Sequence, residues 1–276
     1  MPARLKSLVR SIPKTLLKPR VLSPNQNSLL EIASEQPLVA AEIVMDRIYG
    51  ATRWAKCPEA RRIGKWNFGR LPRIHLSELF PGITEVDVQL VGVYNRTVGP
   101  SLDPAELVVV TAVAQFLQAR KVIEIGTWDG NTALNLAANT PDDACITTVD
   151  LPQEWEGDFD IEVPYLKTNR TNPTKTGRQF KGTAYEGKIR QVLCDSALLD
   201  WGDHGAPYDM AFIDGCHAYD YVRKDTENAL RSVRKGGVVM WHDYGMIKEV
   251  SRAVDETAQH MDVKAIRGTR IALAVV

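Results

Sequence analysis

From residue 103 onward, short unbroken apolar runs alternate with stretches in which apolar residues return every three or four positions. The first pattern is that of a buried strand and the second that of an amphipathic helix. The runs predict strands over 121–125, 145–149, 189–194, 209–213 and 238–241. A helix is predicted to start at Asp103-Pro104-Ala105-Glu106, which offers an N-cap, a proline at the first helical position and an acid at the third. Leu107, Val110, Ala114 and Leu117 continue one face of it. Further helices are predicted over 132–138, 218–233 and 247–258, and two closing strands, 263–266 and 271–276, flank the turn Arg267-Gly268-Thr269-Arg270. Strands alternating with helices predict a parallel sheet, here with an antiparallel hairpin at its end. Before residue 103 only the stretch 38–48 has helical spacing, and residues 50–100 mix Trp, Pro, Gly and Arg without a period.

The strands deliver polar residues where such a sheet binds ligands. In open α/β sheets the crevice lies at the carboxyl ends of the strands. Asp150, Asp195 and Asp214 follow the second, third and fourth strands, and His242-Asp243 follows the fifth. The first strand ends in V-I-E-I-G-T-W-D-G-N, a glycine turn that runs straight into a helix. Helix N-termini favour small anionic groups. The spacing between Gly126 and Gly130 is nevertheless G-x-x-x-G, not the G-x-G-x-x-G of a dinucleotide site. Glu124 lies inside the strand, where an unpaired charge costs roughly several kcal/mol, so a cationic ligand is its natural partner. Asp150 stands where a carboxylate can accept both hydroxyls of a ribose, a device that NAD proteins share. Asp195 with Ser196 reads equally as a ligand contact or as a helix cap over 197–199.

E-x-G-x-x-x-G after a first strand resembles motif I of class I S-adenosylmethionine (SAM) dependent methyltransferases. The later stretch F-I-D-G-C-H-A-Y-D-Y, followed by G-G-V-V-M-W-H-D-Y, resembles the signature of a bacterial group in that class. This group is related to antibiotic-tailoring and catechol-type O-methyltransferases. The resemblance runs from about residue 102 to the end and implies a Rossmann-like α/β fold with a seven-stranded, mostly parallel sheet. It implies SAM contacts at Glu124, Gly126, Thr127, Gly130, Asn131 and Asp150, with Asp195 and Ser196 near the adenine. By the same resemblance Asp214, His242 and Asp243 would hold a divalent metal, Mg²⁺ in the first instance. A histidine in that set moves the preference toward transition metals, unless it hydrogen-bonds substrate instead. His217, three residues after Asp214, takes the position of the general base, and His242 is its competitor for a catalytic role. The implied activity is O-methylation of a hydroxyl on a small molecule or glycan.

Composition changes the picture mainly through charge. The chain has 276 residues and formal net charge zero, yet residues 1–73 carry 14 Lys/Arg against 5 Asp/Glu, a net +9. With the extent of the resemblance, this implies a basic, partly helical accessory segment, 1–100, and a methyltransferase domain, 101–276. The basic segment is expected to contact an anionic partner or the acidic remainder of a second copy, with no specific nucleic acid implied. No stretch is apolar enough for a membrane helix, and the start does not read as a secretory signal. Cys57, Cys145, Cys194 and Cys216 show no C-x-x-C spacing, which suggests a reduced, cytoplasmic setting. Residues 151–188 are too long for a simple connection and are expected to face substrate, with the acidic front W-E-G-D-F-D and basic Lys167, Arg170, Lys175, Arg178 and Lys181 behind it. Two rival readings stand. Tyr244 and Lys248 satisfy the Y-x-x-x-K spacing of a short-chain NAD(P)-dependent oxidoreductase, and the fold could also serve as a non-catalytic scaffold.

Overall fold

The computed structural model describes residues 69–92, 102–152, 155, 159–163 and 176–276. The helix expected over 38–48, most of the basic segment and Lys167, Arg170 and Lys175 lie outside the described residues. The elements, in chain order, are β1 (Arg73–Ile74), α1 (Leu76–Leu79), α2 (Pro104–Phe116), β2 (Lys121–Ile125), α3 (Asn131–Ala138), β3 (Cys145–Asp150) and β4 (Ile189–Leu193). There follow β5 (Tyr208–Ile213), α4 (Tyr219–Ser232), β6 (Val233–Trp241), α5 (Lys248–Thr257), β7 (Val263–Ile266) and β8 (Ala272–Val275).

The eight strands form one sheet in the order β1-β7-β8-β6-β5-β2-β3-β4. Strand β8 runs antiparallel to both its neighbours, and every other pair is parallel. All seven strands read from the sequence are present, so the Rossmann-like α/β expectation holds. The eighth, β1, comes from the stretch without a period and pairs with β7. A strand of two residues is too short to leave a periodic trace. The sheet thus includes residues assigned above to the accessory segment, and its body begins before residue 101. Two further ties bind this stretch: the Tyr244 hydroxyl accepts the Leu71 N–H at 2.8 Å, and the side chains of Asn135 on α3 and Asn139 just after it pair with the backbones of Val91 and Gln89.

Alternation along the strands explains the two layers of core. Val122, Met210, Phe212, Val238, Met240 and Leu273 face α2 and α3, whereas Ile123, Ile125, Ala211, Ile213, Val239 and Trp241 face α4 and α5. Because both faces are covered, these strands read as continuous apolar runs. The chain moves outward from β2 through β3 to β4, then returns to β5 on the other side of β2. That reversal opens a crevice between the carboxyl ends of β2 and β5, where a ligand is expected.

Candidate active site

Glycine 126 brings the two sides of the crevice together. Its φ of 102° suits no other residue, and a Cβ there would lie 2.1 Å from the carbonyl oxygen of Asp214. Its N–H donates to the Val149 carbonyl at 2.8 Å, so the ends of β2, β3 and β5 meet at one point. Gly130, with φ 89°, begins α3 against Phe180, which is fully buried. The tail of the 151–188 region therefore braces the glycine turn: the N–H groups of Gly177 and Gln179 donate to the carbonyls of Trp128 and Asp129. That part of the region is a structural support, not the substrate-facing surface expected.

Glu124 is 1% exposed, and one of its oxygens, Oε2, accepts a hydrogen bond from the Thr148 hydroxyl. The other, Oε1, has no partner. Burial pushes this carboxyl well above the usual range, against the Thr148 bond, and the nearby carboxylates of Asp214, Asp150 and Asp129 push it further. Four acids thus converge around an orphaned oxygen. Asp150 sits at the end of β3 with its oxygens toward the N–H groups of Trp128 and Leu151, at 2.7 and 2.8 Å. Burial raises its pKa too, in spite of those bonds.

Several sequence-assigned SAM contacts have other work in the structure. Thr127 is buried, its hydroxyl 2.7 Å from that of Thr148, so its side chain serves the strand pair and not the crevice. The Asn131 side chain is likewise buried and pairs with Asn135. Asp195 is 1% exposed, with one oxygen on the Ala197 N–H and the other shared by the Tyr221 hydroxyl and the Asp160 N–H. The capping alternative describes it better than an adenine contact does. Ser196 lies beside the Asp225 carboxyl, on the flank of α4.

The ends of β5 and β6 carry the second half of the site. One atom each from Asp214, His217 and Asp243 lie within 4.8 Å of one another, close enough to share a metal ion. His217 is half exposed, its Nε2 3.4 Å from the Asp243 carboxylate. Asp243 has φ 56°, a strained value for a residue with a side chain. His242 corrects the sequence reading. It is almost fully buried, with Nδ1 2.9 Å from Asp214 Oδ1 and Nε2 3.0 Å from Glu106 Oε2. Burial opposes its charge, yet Asp214, Glu106 and Asp243 raise its pKa to about 10. Each ring nitrogen already lies on a carboxylate oxygen, so neither is free for a metal or for a substrate proton. The histidine in the candidate ligand group is His217.

Glu106 and Arg270 escaped the sequence reading. Glu106 is a buried acid on α2, and its carboxylate receives a two-pronged bond from Arg270 (Nε at 2.9 Å and Nη2 at 2.6 Å), while Arg270 Nη1 reaches Asp243 at 2.9 Å. The bonds from His242 and Arg270 hold Glu106 below the usual carboxylate range against its burial. Glu106 had been recognised as the acid of a helix start, and it does close the capping box with Asp103. Nothing in a short turn such as Arg267-Gly268-Thr269-Arg270 marks the arginine as part of a site.

Comparison with known proteins bears on the domain as a whole. A family profile described as a methyltransferase domain matches residues 123–244. By that match, residues 123–244 form a methyltransferase domain. A Mycolicibacterium vanbaalenii protein named as an O-methyltransferase is 29% identical over 167 residues, covering 60% of this chain and 65% of its own. Tricin synthase 2 of Oryza sativa subsp. japonica is 29% identical over 141 residues, 51% of this chain and 44% of its own. The chain thus spans less than two thirds of the length of either relative. A crystal structure of a Staphylococcus aureus protein named as a caffeoyl-CoA O-methyltransferase shares the fold, with a TM-score of 0.51 at 16% identity over 72% of this chain and 90% of that one. The oxidoreductase rival fails on the domain's own geometry. Tyr244 is 1% exposed and its hydroxyl donates to Asp255 at 2.6 Å, so it cannot reach a substrate. No helix among the described residues is long and apolar enough to cross a membrane.

Proposed function

We propose that this methyltransferase moves the methyl group of SAM to a hydroxyl oxygen of a small molecule or glycan, beside a divalent cation held by Asp214, His217 and Asp243. The observation that carries the proposal is the orphaned Glu124 oxygen among the carboxylates of Asp150, Asp214 and Asp129. Such a pocket accepts a cation and repels a pyrophosphate, and the charges of SAM suit it. Two carboxylates and an imidazole suit a divalent ion such as Mn²⁺ better than the Mg²⁺ expected from an all-oxygen set. When bound, SAM supplies an electrophilic methyl carbon and the metal makes the acceptor hydroxyl easier to deprotonate. The chain's own groups then bind and orient. Glu124 faces the cationic end of the cofactor, Asp150 the ribose, and the glycine turn holds the crevice open between them. The free cysteines Cys145, Cys194 and Cys216 fit the reduced, cytoplasmic setting that forms part of this proposal.

His217 supports a second reading, because a half-exposed imidazole beside Asp243 can also act as the base. Replacement by Ala separates the two roles. Loss of Mn²⁺ affinity identifies a ligand, whereas intact affinity with kcat reduced about 10²–10⁴-fold identifies a base. The proposal as a whole is tested by calorimetry with SAM. A cation beside Glu124 draws off its proton, so the binding heat should vary with the ionisation enthalpy of the buffer, and Glu124→Gln should abolish that variation. NAD binding without SAM binding would refute the proposal.

A further inference from the structure

We infer that Arg270 and Glu106 are positioning residues, which set the two carboxylates flanking His217 by acting through Asp243 and His242. The inference deepens the proposed function and rests on the reading of Asp214, His217 and Asp243 as its working centre.

The groups form one continuous hydrogen-bonded chain. Asp214 bonds His242, His242 bonds Glu106, Glu106 bonds Arg270, and Arg270 bonds Asp243. The two ends of the chain are the carboxylates that flank His217. Three acids gathered in a largely buried space would repel one another, and the interleaved Arg270 guanidinium, with the bonds to His242, makes their approach stable. Glu106 itself is spent. It accepts from the Arg270 backbone N–H, Nε and Nη2, from His242 Nε2, and from the Asp103 N–H. A carboxylate has about four acceptor sites, so none is left for a ligand.

Arg270 is clamped at backbone and side chain alike. Its N–H donates to Glu106 at 2.8 Å, and its carbonyl accepts the Tyr244 N–H at 2.9 Å. With Nη1 on Asp243 Oδ1, one residue of the β7–β8 turn grips both the Asp243 side chain and the peptide that follows it. A backbone at φ 56° persists only where its surroundings over-determine it, and this grip does so. Lysine could not replace it. An ammonium is a point charge that cannot span two oxygens of Glu106 and one of Asp243 in a fixed plane. Neither Arg270 nor Glu106 lies within the candidate ligand group, so their influence passes through the groups they hold.

The test uses the full chain with Arg270→Lys and Glu106→Gln, Mn²⁺ titrated by electron paramagnetic resonance, and the demethylated product of SAM titrated by calorimetry. Both variants should bind Mn²⁺ roughly 10–100-fold more weakly, the range for losing a group that orients a metal ligand. Affinity for the SAM product should stay within about twofold, because the nucleoside end lies at β2 and β3. Turnover should fall at unchanged KM for SAM, and added guanidinium should restore part of it to Arg270→Ala. Folded variants with wild-type Mn²⁺ affinity and kcat would overturn the inference alone. A wild-type chain that binds no Mn²⁺ would overturn the proposed centre and the inference with it. If neither conservative variant folds, the pair supports the fold, not the site, and the inference is wrong.

Discussion

Asp225, on the buried face of α4, should make this protein less stable as pH rises toward neutrality. Its side chain is inaccessible to solvent and neither oxygen has a well-formed hydrogen bond. Burial raises its pKa from 3.8 to about 7; nearby Ser196 and Lys224 oppose the shift and Asp195 adds to it. The folded state therefore holds a proton that the unfolded chain has already released above pH 4. Stability from this group is fully present below the unfolded pKa and is lost as pH rises toward 7, levelling off above it. A shift of about three units corresponds to about 4 kcal/mol across the whole window, an upper bound because interiors relax around charge. Of that, roughly 2–3 kcal/mol falls between pH 5 and pH 8. The perturbation is Asp225→Asn, which keeps the shape and cannot ionise. Urea unfolding followed by tryptophan fluorescence at pH 5, 6, 7 and 8 gives the stability of both proteins. The variant should gain on the wild type from pH 5 to about pH 7 and little further by pH 8. Any constant cost of burying an amide shifts every point equally and leaves this slope intact. Parallel pH curves for the two proteins would refute the reasoning, and would mean that Asp225 has a partner or a route to water.

Two further substitutions probe the crevice and the edge of the sheet. Gly126→Ala should abolish SAM binding in calorimetry and lower the thermal midpoint, because the added Cβ would stand 2.1 Å from the Asp214 carbonyl oxygen at a backbone angle alanine avoids; a variant with wild-type affinity would show that the two strand ends need not touch. Tyr244→Phe should cost about 1–3 kcal/mol in urea unfolding, since it strands the Leu71 N–H and removes the bond to Asp255, while kcat stays near normal; a large loss of turnover without loss of stability would revive a catalytic role for Tyr244.

The sheet was legible because its determinants are local. Strands covered on both faces must be apolar throughout, helices over them must repeat at 3.6 residues, and the glycines of the first turn are forced by contacts at Asp214 and Phe180. Those constraints mark the chain wherever they act, so the β2 and β7 boundaries read from the pattern match the observed elements. The burial of Glu124 was legible for a related reason: an acid inside a continuous apolar run follows its strand into the core. Strand β1 was not, since two residues held by a neighbour's edge carry no period.

The division of labour within the site was decided only by tertiary structure. Along the chain, Asp195 and Asp150 look alike, each an acid after a strand. Folding gives Asp195 three donors from α4 and its surroundings, and keeps Asp150 at the crevice beside Glu124. His217 and His242 likewise competed for the catalytic role. What separates them is Glu106, 136 residues away from His242, which occupies the second ring nitrogen and leaves that histidine no free nitrogen. The sequence by itself determined which strand ends would hold polar groups, because strand order and polarity follow from burial. Which of those groups face a ligand and which are spent on one another depends on contacts between α2, the β7–β8 turn and the end of β6, and such contacts leave no mark on local spacing.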